Sequence, residues 1–266
     1  MKKLFLSSSF GYNWNQINTW NKSAKNTGHD VCNLLINPND QLVKDCLQNG
    51  VGVVPYHLDP RSTAGKPPHN LRFLLQYKYL MSVKDKYSHV ILTDSRDVYF
   101  HEDPFPMLQS LMTANNCKVV CGSESILYSN ESWNLRNLQE GYGYVFDEYK
   151  DTEVKNVGIL CGETKAIAEL CLLIFTMCIH NPASVSDQSS FNILMELDLF
   201  SEKIHTCKLS DGFVVHLAVT GVDKFQDKLI EKPSWKKDEL PKINGKVYPI
   251  IHQYDRVEGM EKNFVL

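Results

Sequence analysis

Two aspartates and an arginine close an apolar run in residues 89–105, HVILTDSRDVYFHEDPF. Val90, Ile91, Leu92 and Thr93 lead into Asp94-Ser95-Arg96-Asp97, and a short aromatic run, 98–100, and an Asp-Pro turn follow. This order places the carboxylates where a buried strand leaves a sheet, and in open α/β sheets ligands bind at the carboxyl ends of strands. Two acids there hold a divalent cation, Mg²⁺ or Mn²⁺, which prefers oxygen ligands and completes its shell with phosphate oxygens. Such a cation stabilises the charge that grows on a departing diphosphate. Asp97 is the first candidate ligand, and Asp94 either joins it or holds a ribose. Arg96 braces the acids or meets a phosphate. The competing reading is an idle surface turn, but acids so close to a buried strand cost desolvation unless they are paired.

The segment resembles the aspartate motif of the GT-A glycosyltransferases, in which a strand runs into acids, an aromatic-apolar stretch and then Asp-Pro-Phe, here Asp103-Pro104-Phe105. The usual motif is Asp-x-Asp. In this chain Asp97 matches the second acid, Ser95 stands at the first, and the extra acid is Asp94. The resemblance extends over most of the chain as scattered motifs in the family's order, closest in style to small bacterial or viral sugar transferases. It implies donor contacts for Ser95 and Arg96. It also implies that Ser7, Ser8 and Tyr12, at the end of the first strand, receive the base and ribose, and that Arg72 is aimed at the diphosphate.

Asn156-Val157-Gly158 resembles the segment that lines the sugar site in this family. Glycine allows close backbone approach, and asparagine offers both a donor and an acceptor. Asp187-Gln188 resembles a pair set against the donor or acceptor sugar. These residues also read as a helix start, with Ser186 as cap and Asp187 at the positive end of the dipole. His252, in Ile250-Ile251-His252-Gln253-Tyr254-Asp255-Arg256, stands where several members place a metal-binding histidine, and imidazole suits Mn²⁺ better than Mg²⁺. A hydrogen-bonded core histidine is the alternative. Glu124 and Trp133 are placed to meet the acceptor. If the reaction inverts the anomeric carbon, Asp187 or Glu124 is the candidate general base. If it retains configuration, attack assisted by the leaving phosphate needs none.

These side chains need a scaffold. Strands are expected at 4–8, 31–36, 51–56, 89–93, 118–122 and 247–251. Helices are expected at 15–27, 40–48, 70–84 and 164–179, and another from Ser186. Ile17 and Trp20 mark the inner face of the first helix, with Gly28 as its stop. Leu71, Leu74, Leu75, Tyr77, Leu80 and Met81 give the third a broad apolar face. The alternation predicts a mostly parallel, Rossmann-like α/β sheet flanked by helices. It forms a single GT-A domain over 1–266, with 1–105 as the nucleotide- and metal-binding half and 106–266 as the acceptor-binding half. Residues 59–68 read as a Pro/Gly loop, and 224–245 as polar and loop-rich.

With 43% apolar residues in 266, the chain can bury a sizeable core. The net charge of −3 and the scattered Lys and Arg give no footprint for nucleic acid. No stretch reaches the ~18 apolar residues of a membrane span. The richest, 166–179, reads as a fully buried helix. The eight cysteines lack metal-ligand spacing and lie in apolar surroundings, so they read as reduced core thiols of a cytoplasmic protein.

The expected activity is transfer of a hexose or deoxyhexose from a nucleoside diphosphate, UDP above all, to a glycan or other hydroxyl acceptor, with Mn²⁺ or Mg²⁺ as cofactor. A sugar-nucleotide pyrophosphorylase is the first alternative. That chemistry wants a glycine-rich, basic loop after strand one, and SSSFGYNWN has one glycine and no lysine. An inactive nucleotide-sugar-binding protein is the second.

Overall fold

The computed structural model describes residues 1–63, 65–236 and 239–266. In the first part of the chain, strands β1 (Lys2–Phe10), β2 (Asp30–Ile36) and β3 (Gly52–Tyr56) alternate with helices α1 (Trp14–Asn26) and α2 (Asp40–Gln48). Helix α3 (Pro68–Val83) then leads into β4 (Tyr87–Thr93), β5 (Val98–Phe100) and α4 (Phe105–Asn115). The chain continues through β6 (Val119–Leu127), α5 (Ser132–Tyr142), α6 (Phe146–Tyr149), β7 (Glu153–Glu163), α7 (Thr164–Ile179) and α8 (Asp187–Glu196). Short elements close it: β8 (Ile204–Cys207), β9 (Val214–His216), α9 (Leu217–Thr220), β10 (Lys242–Ile243), β11 (Lys246–Val247) and β12 (Ile250–His252).

Seven strands form the main sheet in the order β3-β2-β1-β4-β7-β6-β8. Every neighbouring pair is parallel except those of β7, which runs antiparallel to both β4 and β6. The period-2 alternation of side chains divides the core. Leu4 and Leu6 of β1 pack with Phe73 of α3, Ile167 of α7 and Phe191 of α8 on one face. Phe5, between them in sequence, packs with Trp20 of α1, Leu42 of α2 and Phe105 of α4 on the other. A second sheet, β5-β12-β9, stands beside the first.

Three expectations change. The strand expected over 247–251 is two: β11 pairs with β10 in a hairpin, whereas β12 pairs with β5 and β9. Tyr248 and Pro249 separate them, because proline has no N–H to continue a ladder. Helix α7 is half covered rather than fully buried: Ile167, Cys171, Ile174 and Cys178 face the core, while Lys165 and Thr176 are exposed. The strand expected over 118–122 runs on to Leu127, with register shifts at Cys121/Gly122 and Ser123/Leu127. Ser125 lies in that irregularity at φ 58°, in the left-handed region, and the interruption turns Glu124 toward the site. No described helix is long and apolar enough to cross a membrane. The Pro/Gly loop holds a 3-10 turn at Pro60–Thr63, and Ala64 within it lies outside the described residues, as do Lys237 and Asp238 of the expected polar stretch 224–245.

Candidate active site

Strand order reverses around β1, with β2 on one side and β4 on the other, so the carboxyl ends of β1 and β4 open a crevice. A cavity of 440 Å³ lies there. All the site residues expected from the sequence line it except Ser7. The Ser7 hydroxyl instead donates to the Thr93 carbonyl at 2.7 Å and ties β1 to β4 in the interior. Ser8 accepts from the Gln76 amide at 3.0 Å, and Ser95 is bonded to Ser9 at 2.8 Å.

Asp94 leaves β4 with its backbone N–H donating to the Gly158 carbonyl at 2.9 Å, so β7 holds the start of the acid loop. The far end is held as well, since Gln253 N–H donates to the Asp97 carbonyl at 2.6 Å. His252, the last residue of β12, is thereby brought to both acids. Its Nε2 lies 3.6 Å from Asp94 Oδ2 and 3.6 Å from Asp97 Oδ1. One ligand atom from each of Asp94, Asp97 and His252 lies within 4.8 Å of the others. His252 is almost fully buried, and its Nε2 has no hydrogen-bond partner. Two carboxylate oxygens and one imidazole nitrogen make a donor set that fits Mn²⁺. The two acids set opposite His252 overcome its burial and raise its pKa to about 9.

Gly158 leaves room for this group. A Cβ there would lie 2.6 Å from Asp94 Oδ2, 2.9 Å from His252 Cε1 and 3.0 Å from Asn156 Oδ1. The close neighbours are side chains of the site.

Arg72 lies in the second turn of α3 and is buried. Its guanidinium bonds Asp94 through one terminal nitrogen and Asp187 Oδ2, at 3.1 Å, through the other. Burial disfavours its charge, but the two aspartates outweigh that and hold it above the usual arginine range. Asp94 is also opposed by desolvation. Arg72 and His252 overcome it and hold the carboxyl below the usual range. Ser186 does not cap α8 with its side chain; its backbone N–H donates to Asn70 at 3.2 Å, and Asp187 Oδ1 accepts from Gln188 N–H at 3.0 Å.

Glu124 is the centre of an amide cluster. Its Oε1 accepts from Asn156 at 2.7 Å and from Gln188 at 2.8 Å, and its Oε2 accepts from Asn134 at 3.3 Å. Burial raises its pKa above the ordinary value. Asn156 also accepts from Gly158 N–H at 2.8 Å, and Gln188 from Val157 N–H at 2.8 Å. Opposite this cluster Tyr12 stacks on Phe10, with ring centroids 5.7 Å apart. Arg96, on the rim, pairs with Asp255 at 2.9 Å.

The sequence reading missed His69, Phe10 and His216. His216 had a signal: Val214-Val215-His216 repeats the apolar-apolar-histidine order of Ile250-Ile251-His252, and the two segments pair in register. All eight cysteines are free and buried. A second group of possible ligands, His205, Cys207 and Asp211, lies on the sheet edge outside the cavity. There burial raises the pKa of the Cys207 thiol, and Asp211 already accepts from Lys208 N–H at 2.8 Å.

No protein-family model and no curated protein matches the sequence. Among solved structures, the chain is similar to mouse xyloside xylosyltransferase 1 in its apo form. The TM-score is 0.52 at 10% identity, over 95% of this chain and 97% of that one. At that identity the likeness is one of architecture: the chain has the GT-A fold, a mostly parallel α/β sheet flanked by helices.

Proposed function

We propose that this chain is a metal-dependent glycosyltransferase that moves a hexose or deoxyhexose from UDP to a hydroxyl of a glycan or similar acceptor. The observation that carries the reading is the convergence of Asp94, Asp97 and His252 Nε2 at the mouth of a strand-end cavity in a GT-A fold. These three residues would hold Mn²⁺ or Mg²⁺, which when bound neutralises the charge on the departing diphosphate.

The rest of the chemistry belongs to the side chains. Tyr12 and Phe10 offer an aromatic wall for the base. Ser8 and Ser95 offer hydroxyls to the ribose, and Arg96 faces the diphosphate from the rim. An amide NH₂ has two donors, so Asn156 and Gln188, each with one bond to Glu124, keep a donor for a sugar hydroxyl. A second cavity, of 450 Å³, shares Glu124, Trp133, Gln253 and Arg256 with the first and adds Val219, Val222 and Phe225. We assign it to the acceptor. Residues 1–105 then supply the nucleotide wall and both acids. Residues 106–266 supply the acceptor cavity and also His252, so the metal group draws on both halves.

Asp187 is held by Arg72, and Glu124 is committed to three amides. This favours the route that needs no protein base. The acceptor hydroxyl attacks from the face the diphosphate leaves, its proton passes to a phosphate oxygen, and configuration at the anomeric carbon is retained. Asp187 and Glu124 then act by positioning Arg72, Asn156 and Gln188.

Calorimetric titration with UDP, GDP and CMP, in Mn²⁺ and then in EDTA, tests the reading. The expected result is UDP binding that requires the metal and is lost in Asp97→Ala. Absence of nucleotide binding by folded protein would overturn it.

A further inference from the structure

Strands β9 and β12 are parallel, with Val214 opposite Ile250, Val215 opposite Ile251 and His216 opposite His252. The two histidines end their strands side by side. Their Nδ1 atoms are 3.0 Å apart, and the ring planes stand at 76°. His216 is fully buried, and its other nitrogen, Nε2, has no hydrogen-bond partner. The ring occupies space left by a glycine on β6: a Cβ on Gly122 would lie 2.2 Å from His216 Nε2 and 2.6 Å from Val214 Cγ1.

A bond between two Nδ1 atoms needs one protonated and one bare nitrogen. For His252 to offer the Nε2 lone pair to a cation, its proton must sit on Nδ1. His252 is then the donor and His216 Nδ1 the acceptor, which puts the His216 proton on Nε2, over Gly122. That buried N–H lacks a partner, a desolvation cost that a phenylalanine in the same space would not carry. The histidine is therefore explained better by its bond to His252 than by packing.

We propose that His216 is a positioning residue: by accepting from His252 Nδ1 it fixes the tautomer and ring orientation that aim His252 Nε2 at Asp94 and Asp97. Partners of this kind orient metal ligands and raise their basicity, and their loss commonly costs ~10–100-fold in metal affinity. The inference rests on the metal-binding reading above.

The test measures Mn²⁺ binding by the paramagnetic resonance of free Mn²⁺, without nucleotide, in wild type, His216→Phe and His216→Asn. Phenylalanine fills the space without an acceptor, whereas the asparagine oxygen can stand near the Nδ1 position. Affinity is expected to fall ~10–100-fold in His216→Phe and to be largely restored in His216→Asn. A folded His216→Phe protein with wild-type affinity would overturn the inference and leave the metal reading standing. No Mn²⁺ binding by wild type would overturn both. A second measurement needs no variant: long-range ¹H–¹⁵N correlation spectra of ¹⁵N-histidine-labelled wild type report each tautomer. A bare Nδ1 on His216 is expected, and a protonated one would overturn the proposal.

Discussion

Arg72 and Asp187 form an ion pair at 3.1 Å in which both side chains are more than nine-tenths buried. The arginine comes from the second turn of α3 and the aspartate from the first residue of α8, so the pair fastens two helices across the floor of the site. Removing one partner of a buried pair leaves the other charge uncompensated. Arg72→Met therefore strands Asp187 and leaves Asp94 to His252. A loss of about 3–5 kcal/mol is expected, read as a lower urea midpoint. Arg72→Lys should lose part of this, because one ammonium cannot span both carboxylates as the planar fork does. An Arg72→Met protein as stable as wild type would show that the pair contributes nothing to the fold.

Gly158→Ala separates metal binding from folding. The added methyl meets Asp94 Oδ2 at 2.6 Å and His252 Cε1 at 2.9 Å, so those side chains must give way. The stability cost expected from overpacking is ~1–3 kcal/mol, while Mn²⁺ affinity and turnover should fall far more steeply. Thermal melts beside Mn²⁺ titrations check this, and unchanged Mn²⁺ affinity would refute it.

Mn²⁺ affinity should rise with pH. His252 has its pKa raised to about 9, so at neutral pH the metal must displace its proton. Affinity then gains up to about tenfold per pH unit, levelling off near pH 9. The metal-free protein should show the opposite trend. A folded-state pKa raised from 6.5 to about 9 gives stability that is complete below pH 6.5 and lost as pH rises through about 9. Melts in EDTA across that window should show a falling midpoint in wild type and a flatter one in His252→Asn.

Anomeric proton spectra of the first-formed product should show the configuration of the donor. With Asp187 bound to Arg72 and Glu124 bound to three amides, no protein base is invoked. Glu124→Gln replaces a carboxylate that accepts from Asn156 and Gln188 with an amide that must turn one donor toward them. Weaker donor-sugar binding, seen as a raised KM, is expected to exceed any loss in kcat. An inverted product together with a ~10²–10⁴-fold loss of kcat in Glu124→Gln would instead make Glu124 the base.

Much of the scaffold can be read from local pattern. The apolar runs of β1, β2 and β4 and the amphipathic face of α1 are decided within a few residues. Hydrophobic period and capping are local properties, and the parallel sheet follows from their alternation. The acids at the end of β4 follow as well, because a strand that enters the core must leave it at a predictable point.

Other features were decided by the tertiary structure. Whether Arg72 is solvated or buried depends on α8, which supplies Asp187 from far along the chain. Whether Glu124 is a base or a pin depends on Asn156 and Gln188, which β7 and α8 bring to it. Ser7 and Ser8 look alike in sequence, yet side-chain alternation along β1 turns one hydroxyl to the Thr93 carbonyl inside the sheet and the other to the cavity. His216 acquires its partner only when β9 and β12 pair in register. The sequence by itself determined which residue types were available and where strands end. Pairing register and packing between distant elements decided which polar groups meet, because a buried charge or lone pair takes its role from its neighbours in space.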